Sequence, residues 1–235
     1  MAGMGLRERR REELLGELRA IARRQLTENG AAALSLRAVA REAGIAVSAL
    51  YRYFPDRDGL LTDLLVRAFD EQADEVEAAG AAAPDPAAAF AAGIRAYRRW
   101  SVAHPVEFGL AYGTPVPGYR APAEQTVRAG TRVGDYLTTV LATAYDQGLV
   151  DRDAVERRAA RLTAPTAEQL TVLRQRRGYG GPVALTALAM DAFVTVHGFV
   201  VMEVFGQLRP ITPDAAAYFD EVVDERLRAI GFDRA

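Results

Sequence analysis

The tract Ser35–Phe54, SLRAVAREAGIAVSALYRYF, encodes two short helices and the turn that joins them. Ser35 is an N-cap residue, because its hydroxyl can accept from an amide of the first helical turn. Leu36, Val39, Ala40 and Ala43 then fall on one face at helical spacing, with Arg37, Arg41 and Glu42 on the other. Gly44 ends this helix, and Gly44-Ile45-Ala46 forms the turn. The spacing predicts a second helix over Val47–Phe54, with Leu50 and Phe54 inward at i and i+4. Val47, Ser48, Tyr51 and Arg52 fall on its outer side, and Pro55 blocks continuation. Apolar inner positions, a turn glycine and short or hydrogen-bonding outer positions are what a helix-turn-helix needs to lay its second helix in a major groove.

Working outward, a first helix is expected over about Arg11–Glu28, with Leu14, Leu18, Ile21, Ala22 and Leu26 as its stripe and Asn29-Gly30 as its stop. Residues 1–11 read as a mobile arginine-rich arm. Asp56 is placed to cap a fourth helix running to about Ala78, with Leu60, Leu61, Leu64, Leu65, Ala68 and Phe69 inward. Gly80–Pro86 reads as a linker, with Asp85-Pro86 opening a helix to about Ala103. A Gly- and Pro-rich loop at 113–122 precedes a long helix over Ala123–Gln147. Residues 151–177 read as two polar helical pieces, and Gly178–Pro182 as a breaker. Val183–Leu208 is apolar nearly all round, and Thr212-Pro213 is expected to cap the last helix. The expected fold is all-α. A three-helix domain carrying the helix-turn-helix, with its connector helix, is expected over 1–79, and a second helical domain over 80–235.

Composition agrees. Half of the 235 residues are hydrophobic, enough for a sizeable core. All 29 basic residues are arginine, so every basic contact uses a planar, permanently charged guanidinium. The net charge is −2, but residues 1–70 hold 12 Arg against 10 acids, a basic head on an acidic remainder. Without cysteine there is no disulfide, thiolate metal site or thiol nucleophile. No uninterrupted apolar run reaches the ~18–20 residues of a membrane span. The charged stretch Leu6–Glu12 is followed by no signal-type apolar region, so a cytosolic protein is expected, with no membrane partner.

With the following Phe54-Pro55-Asp56-Arg57-Asp58-Gly59-Leu60-Leu61, the tract resembles the TetR family of regulators over about residues 12–69. The matching positions are Ser35, Val39-Ala40, Ala43-Gly44-Ile45, Ala49, Leu50-Tyr51-Arg52-Tyr53-Phe54, and Arg57 with Leu60. The resemblance implies that Ser35, Tyr51, Tyr53 and Arg57 bond phosphates, while Arg37, Val47, Ser48 and Arg52 reach or border base edges. Phosphate contacts position such a protein and base contacts choose the sequence. Two positions depart from the pattern. Ala46 stands where a Ser or Thr cap is usual, and Arg57 replaces a lysine. Val47 can touch a thymine methyl but cannot hydrogen-bond a base.

The C-terminal part resembles one subgroup with a Trp-His-Gly signature. It carries Tyr97-Arg98-Arg99-Trp100 before His104-Pro105, and His197-Gly198, with Phe193 read at the tryptophan position. The resemblance implies that the C-terminal helices bind a small-molecule effector and form a homodimer on a palindromic double-stranded operator. The apolar circumference of Val183–Leu208 independently asks for cover on most sides, and the last two helices of two chains would supply it as a four-helix bundle. Tyr97, Trp100, Phe108, Tyr112, Tyr136, Phe193, His197 and Met202 are the aromatic or polarisable candidates for an apolar effector pocket.

The rival reading is a helical small-molecule-binding protein or an enzyme that does not bind DNA. The chain lacks HExxH, phosphate-loop and GxSxG patterns, and its two histidines lie far apart in sequence. No catalytic set, cofactor or metal is therefore expected.

Overall fold

A computed structural model of the chain describes residues 5–232. Among them are eleven α-helices and a 3-10 turn at Ala31–Ala33. The helices are α1 (Leu6–Asn29), α2 (Leu36–Glu42), α3 (Val47–Leu50), α4 (Arg57–Ala81), α5 (Pro86–Ala103), α6 (Pro105–Tyr112), α7 (Ala123–Asp146), α8 (Arg152–Ala159), α9 (Ala164–Arg177), α10 (Val183–Val204) and α11 (Ala215–Ile230). Extended pairing among the described residues is limited to an isolated bridge between Val150 and Phe232. The fold is all-α, as expected.

The contacts divide the chain into two units. Residues up to Phe69 group with His104–Ala129, and Asp70–Ala103 group with residues from Gly130 onward. The sequence boundary at 79–80 is therefore not where the contacts divide. α4 runs unbroken to Ala81, and Gly80 is a helical residue, not part of a linker. The Tyr136 ring explains the glycine: a Cβ at Gly80 would lie 1.4 Å from Tyr136 Oη.

In the first unit, Leu18, Ile21 and Ala22 of α1, Val39 and Ala40 of α2, Leu50 and Phe54 around α3, and Leu60, Leu61 and Leu64 of α4 close one core. Burying each leucine contributes ~1.5–3 kcal/mol relative to leaving it exposed. Val106, Leu110, Val116 and Tyr119, from α6 and the loop after it, pack against the same core. Arg19 donates twice to Asp63, at 2.7 and 3.0 Å, and ties α1 to α4. Thr62 donates to the Asp58 carbonyl at 2.8 Å, so at 3.0 Å from Tyr119 its hydroxyl accepts from the phenol.

Several boundaries move for identifiable reasons. Helix begins at Leu6, so the expected arm is helical over 6–11 and its first residues, 1–4, lie outside the described ones. The run Leu-Arg-Glu-Arg-Arg-Arg-Glu-Glu is made of good helix formers, and Glu8 suits the positive N-terminal end. α3 is shorter than expected. Its last turn survives as Phe54 N–H to Leu50 carbonyl, 3.0 Å, before Pro55 stops it. α10 stops at Val204, not Leu208, because Gly206 takes a left-handed φ of 76° and Gln207 N–H closes back on the Met202 carbonyl at 2.7 Å. The cap of α11 is Asp214, whose carboxylate accepts from Ala217 N–H at 2.9 Å, in place of Thr212.

In the second unit, α10 is the central element and packs against α5, α8, α9 and α11. By length and hydropathy α10 could cross a membrane. Its two carboxylates are paired, Asp191 with Arg158 and Glu203 with Arg98, and its Ala184–Ala189 segment is buried in the unit. Met190, Val194 and Phe205 nevertheless stay exposed along this helix and at its C-terminal end.

Candidate functional site

Ser35 caps α2, its Oγ accepting from Ala38 N–H at 3.4 Å, while its own N–H donates to Gln25 Oε1 at 3.3 Å. The end of α2 is fixed as firmly. Gly44 takes a φ of 67°, its N–H reaches the Arg41 carbonyl at 3.2 Å, and Ile45 N–H reaches the Ala40 carbonyl at 3.0 Å. These two bonds are the Schellman closure, which satisfies carbonyls that the helix end leaves open. α3 then starts at Val47 behind Ala46, an N-cap position that offers no side-chain cap, as its sequence dictates. Two short helices are thereby held at a fixed angle over Leu36, Val39 and Leu50, all buried.

The outer face carries most of the expected contact residues. Arg37, Ser48, Tyr51 and Arg52 are exposed. No carboxylate partners Arg37 or Arg52 among the described residues, so both guanidiniums are free for an anion or a base edge. Ser35, Val47, Tyr53 and Arg57 are half-buried, and Val47 and Tyr53 pack partly on the head core. Arg57 has a structural contact that the sequence did not suggest. One Nη donates to the Ala31 carbonyl at 2.7 Å, bracing the 3-10 turn against α4, and the other lies 3.6 Å from Asp58. Asp56 caps α4 by accepting from Gly59 N–H at 2.7 Å. Chemically, this face offers guanidinium, hydroxyl and phenol donors on a small, rigid projection, the equipment for phosphate and base contacts.

The eight expected pocket residues are divided between the two units. Phe108 and Tyr112 lie in the first unit, their rings 5.0 Å apart, with Phe69 5.7 Å from Tyr112. In the second unit, Trp100 is buried and Met202 half-buried, and the Tyr136 ring lies against Gly80 and Gly93. Tyr97, Phe193 and His197 do meet. The Tyr97 hydroxyl is 2.7 Å from His197 Nδ1, and the Phe193 ring stacks on His197 at 5.6 Å. Burial lowers the His197 pKa below its usual value, so the ring is neutral at pH 7.

A cavity of about 170 Å³ opens elsewhere in this unit, between α7, α9 and α10. Of the expected residues only Phe193 lines it, beside Leu173 and Met190. Its polar edge is Asp135, which accepts from Tyr179, from Arg177 at 3.0 Å and from Thr131 at 3.1 Å. Burial, then the bond to Asp135, pushes the Tyr179 phenol well above its usual value, so it remains a donor. Thr186 also lines the cavity, and its buried hydroxyl has no hydrogen-bond partner among the described residues. Sequence reasoning missed this set, since Tyr179 sits inside the stretch read only as a breaker and lies 44 residues from Asp135.

Comparison with known proteins bears on both units. The family described as bacterial regulatory proteins, tetR family, matches residues 18–64, and the tetracyclin repressor-like C-terminal domain matches residues 90–225. The HTH-type transcriptional regulator Rv1816 of Mycobacterium tuberculosis is 36% identical over 209 residues, covering 87% of this chain and 86% of that protein. A counterpart in Mycobacterium bovis, HTH-type transcriptional regulator Mb1846, aligns with the same identity and coverage. Among solved structures, the regulatory protein SCO4313 superposes with a TM-score of 0.75 at 31% identity, covering 95% of this chain and 100% of that one. PfmR from Thermus thermophilus, a TetR family regulator, shares the fold with a TM-score of 0.59 at 18% identity, over 92% of this chain and 99% of its own. The helix-turn-helix geometry, both family matches and the full-length relatives agree: the chain belongs to the TetR family of DNA-binding transcription regulators.

Proposed function

We propose that this regulator is a cytosolic repressor that binds a palindromic operator as a homodimer and is released by a small molecule. The observation that carries the DNA-binding reading is the exposed set Arg37, Ser48, Tyr51 and Arg52 on two short helices locked by the Gly44 closure. In this reading Ser35, Tyr51, Tyr53 and Arg57 bond phosphates. Arg57 does so from the first turn of α4, where helix N–H groups also favour an anion. Arg37, Ser48 and Arg52 meet base edges, and Val47 borders them at a thymine methyl.

The exposed Met190, Val194 and Phe205 support a dimer through α10 and α11, because an apolar stripe on a central helix asks for cover. Twofold pairing would present two α3 helices to two half-sites. The α7–α9–α10 cavity supports an effector with a small apolar or aromatic body, held by Phe193, Met190 and Leu173 and oriented by Thr186. Such a ligand releases DNA only as far as it prefers the non-binding state.

A mobility-shift titration of the chain's own upstream DNA over a salt series tests the reading. Specific binding whose affinity falls steeply with salt, with scrambled DNA bound far more weakly, is expected. Weak binding to every sequence, indifferent to salt, overturns it.

A further inference from the structure

A second cleft, of about 400 Å³, opens in the same unit between α8, α10 and α11 and shares no lining residue with the α7–α9–α10 cavity. Its size falls within the range of about 300–1,000 Å³ usual for small-molecule sites. The floor is apolar, built on Leu188, Ala192 and Ile230. The walls carry Arg157, Arg158, Arg161 and Arg226 against the single lining carboxylate of Asp191.

The four guanidiniums are not equivalent. Arg158 is locked on Asp191 through two bonds of 2.6 and 3.2 Å, and these raise its pKa further. Arg157 reaches Asp151 at 3.3 Å. Both sit in the last turn of α8, where cations complement the helix dipole. That explanation does not extend to the other two. Arg161 lies beyond α8, is exposed, and has no acceptor among the described residues. Arg226 lies on α11 ahead of its final turn. Its Nη2 is 3.2 Å from Glu225, while its Nε is closed off from solvent with no hydrogen-bond partner among the described residues. The unpaired Arg161 and the partly buried Arg226 therefore stand over an apolar floor, with the Arg158–Asp191 ion pair as a fixed wall beside them. Planar guanidinium forks match carboxylate and phosphate oxygens.

We propose that this cleft binds an amphipathic anion, a carboxylate or phosphate ester on a short apolar body. The apolar body covers Leu188, Ala192 and Ile230, and the anionic head sits between Arg161 and Arg226. The site rests on neither the helix-turn-helix nor the α7–α9–α10 cavity, so it stands or falls apart from the regulator reading.

Calorimetric titration of the full-length chain with octanoate, octyl phosphate, octanol and octylamine tests it. One saturable site per chain is expected for octanoate or octyl phosphate, and the tighter of the two assigns the head group. Octanol and octylamine should bind at least tenfold more weakly. The double variant Arg161→Gln/Arg226→Gln should lose at least tenfold for the anions while keeping its melting temperature. Arg161→Gln alone, a change at an exposed and unpaired side chain, should lose part of that affinity. Gly134→Leu, which fills the other cavity, should leave anion binding intact. Equal binding of octanol, an unchanged double variant, or loss of anion binding in Gly134→Leu overturns the proposal. So does a change of oligomeric state in the double variant by light scattering, which would assign the arginines to a subunit interface.

Discussion

At the scale of single residues, one glycine pair and one histidine in the second unit concentrate physical constraint. Gly80 and Gly93 leave room for one aromatic ring. A Cβ at Gly80 would stand 1.4 Å from Tyr136 Oη, and one at Gly93 would stand 2.9 Å from its Cε1. Helix propensity alone would favour Gly80→Ala by roughly 1 kcal/mol. The clash reverses the sign, and the substitution should destabilise by about 1–3 kcal/mol, the range for overpacking a filled core. Removing the hydroxyl with Tyr136→Phe should recover part of the loss. A double-mutant cycle by chemical denaturation reads that coupling, and strict additivity would refute the contact. The histidine is His197. Its folded pKa lies below the unfolded value of about 6.5, so the unfolded chain takes up the proton first as pH falls. The contribution of His197 to stability is therefore full above that pH, declines as pH falls through it, and levels off below the folded value. Melting temperatures from pH 8 to 5 should fall less steeply in His197→Phe than in the parent. Equal slopes would assign the acid sensitivity to other groups.

At the scale of elements, what the sequence made legible depended on the distance between the interacting residues. The Ser35 cap, the Gly44 turn and the Leu50–Phe54 inner face are local patterns within 20 residues, and the structure bears them out. The long-range contacts were hidden. Nothing near Gly80 in the chain announces Tyr136, so its glycine read as a linker. Glu203 carries no local sign of its role, yet it pairs with Arg98 on α5 at 2.6 Å, beneath a guanidinium that also stacks 5.3 Å from the Phe219 ring. Arg132 similarly gathers Asp70, Asp74 and Glu77, carboxylates spaced along one face of α4, at 2.7–2.9 Å. The aromatic pocket candidates meet the same limit: aromatic character says a residue is buried, not which neighbours it meets. α10 is the intermediate case. Its all-round apolarity was plain, and its packing by four helices accounts for all but the stripe holding Met190, Val194 and Phe205. If a second chain covers that stripe, Val194→Arg should convert a dimer into monomers in light scattering while leaving helical circular dichroism unchanged. Val194 is 61% exposed, so the arginine meets no core within its own chain. A variant that stays dimeric would place the interface elsewhere.

At the scale of the whole molecule, a net charge of −2 gives no general attraction to a polyanion. Affinity for DNA must come from a few local contacts on the head, and this sets apart two kinds of substitution. Arg57→Gln removes one phosphate-directed charge. It should weaken specific and random DNA alike and lower the slope of log affinity against log salt by about one. Because Arg57 also braces the Ala31 carbonyl at 2.7 Å, the melting temperature must be read alongside. Arg57→Lys keeps the charge, so it should restore the slope even where the brace is not fully replaced. Ser48→Ala removes no charge and exposes no core, since Ser48 is an exposed residue of α3. It should leave the salt slope and the melting temperature as they are. It should narrow the preference for operator over random DNA by up to about 1–3 kcal/mol, the worth of a direct base contact. Parallel losses on both DNAs in Ser48→Ala would move that hydroxyl from the bases to the backbone. An unchanged slope in Arg57→Gln would leave Arg57 a strut of the head with no phosphate beneath it.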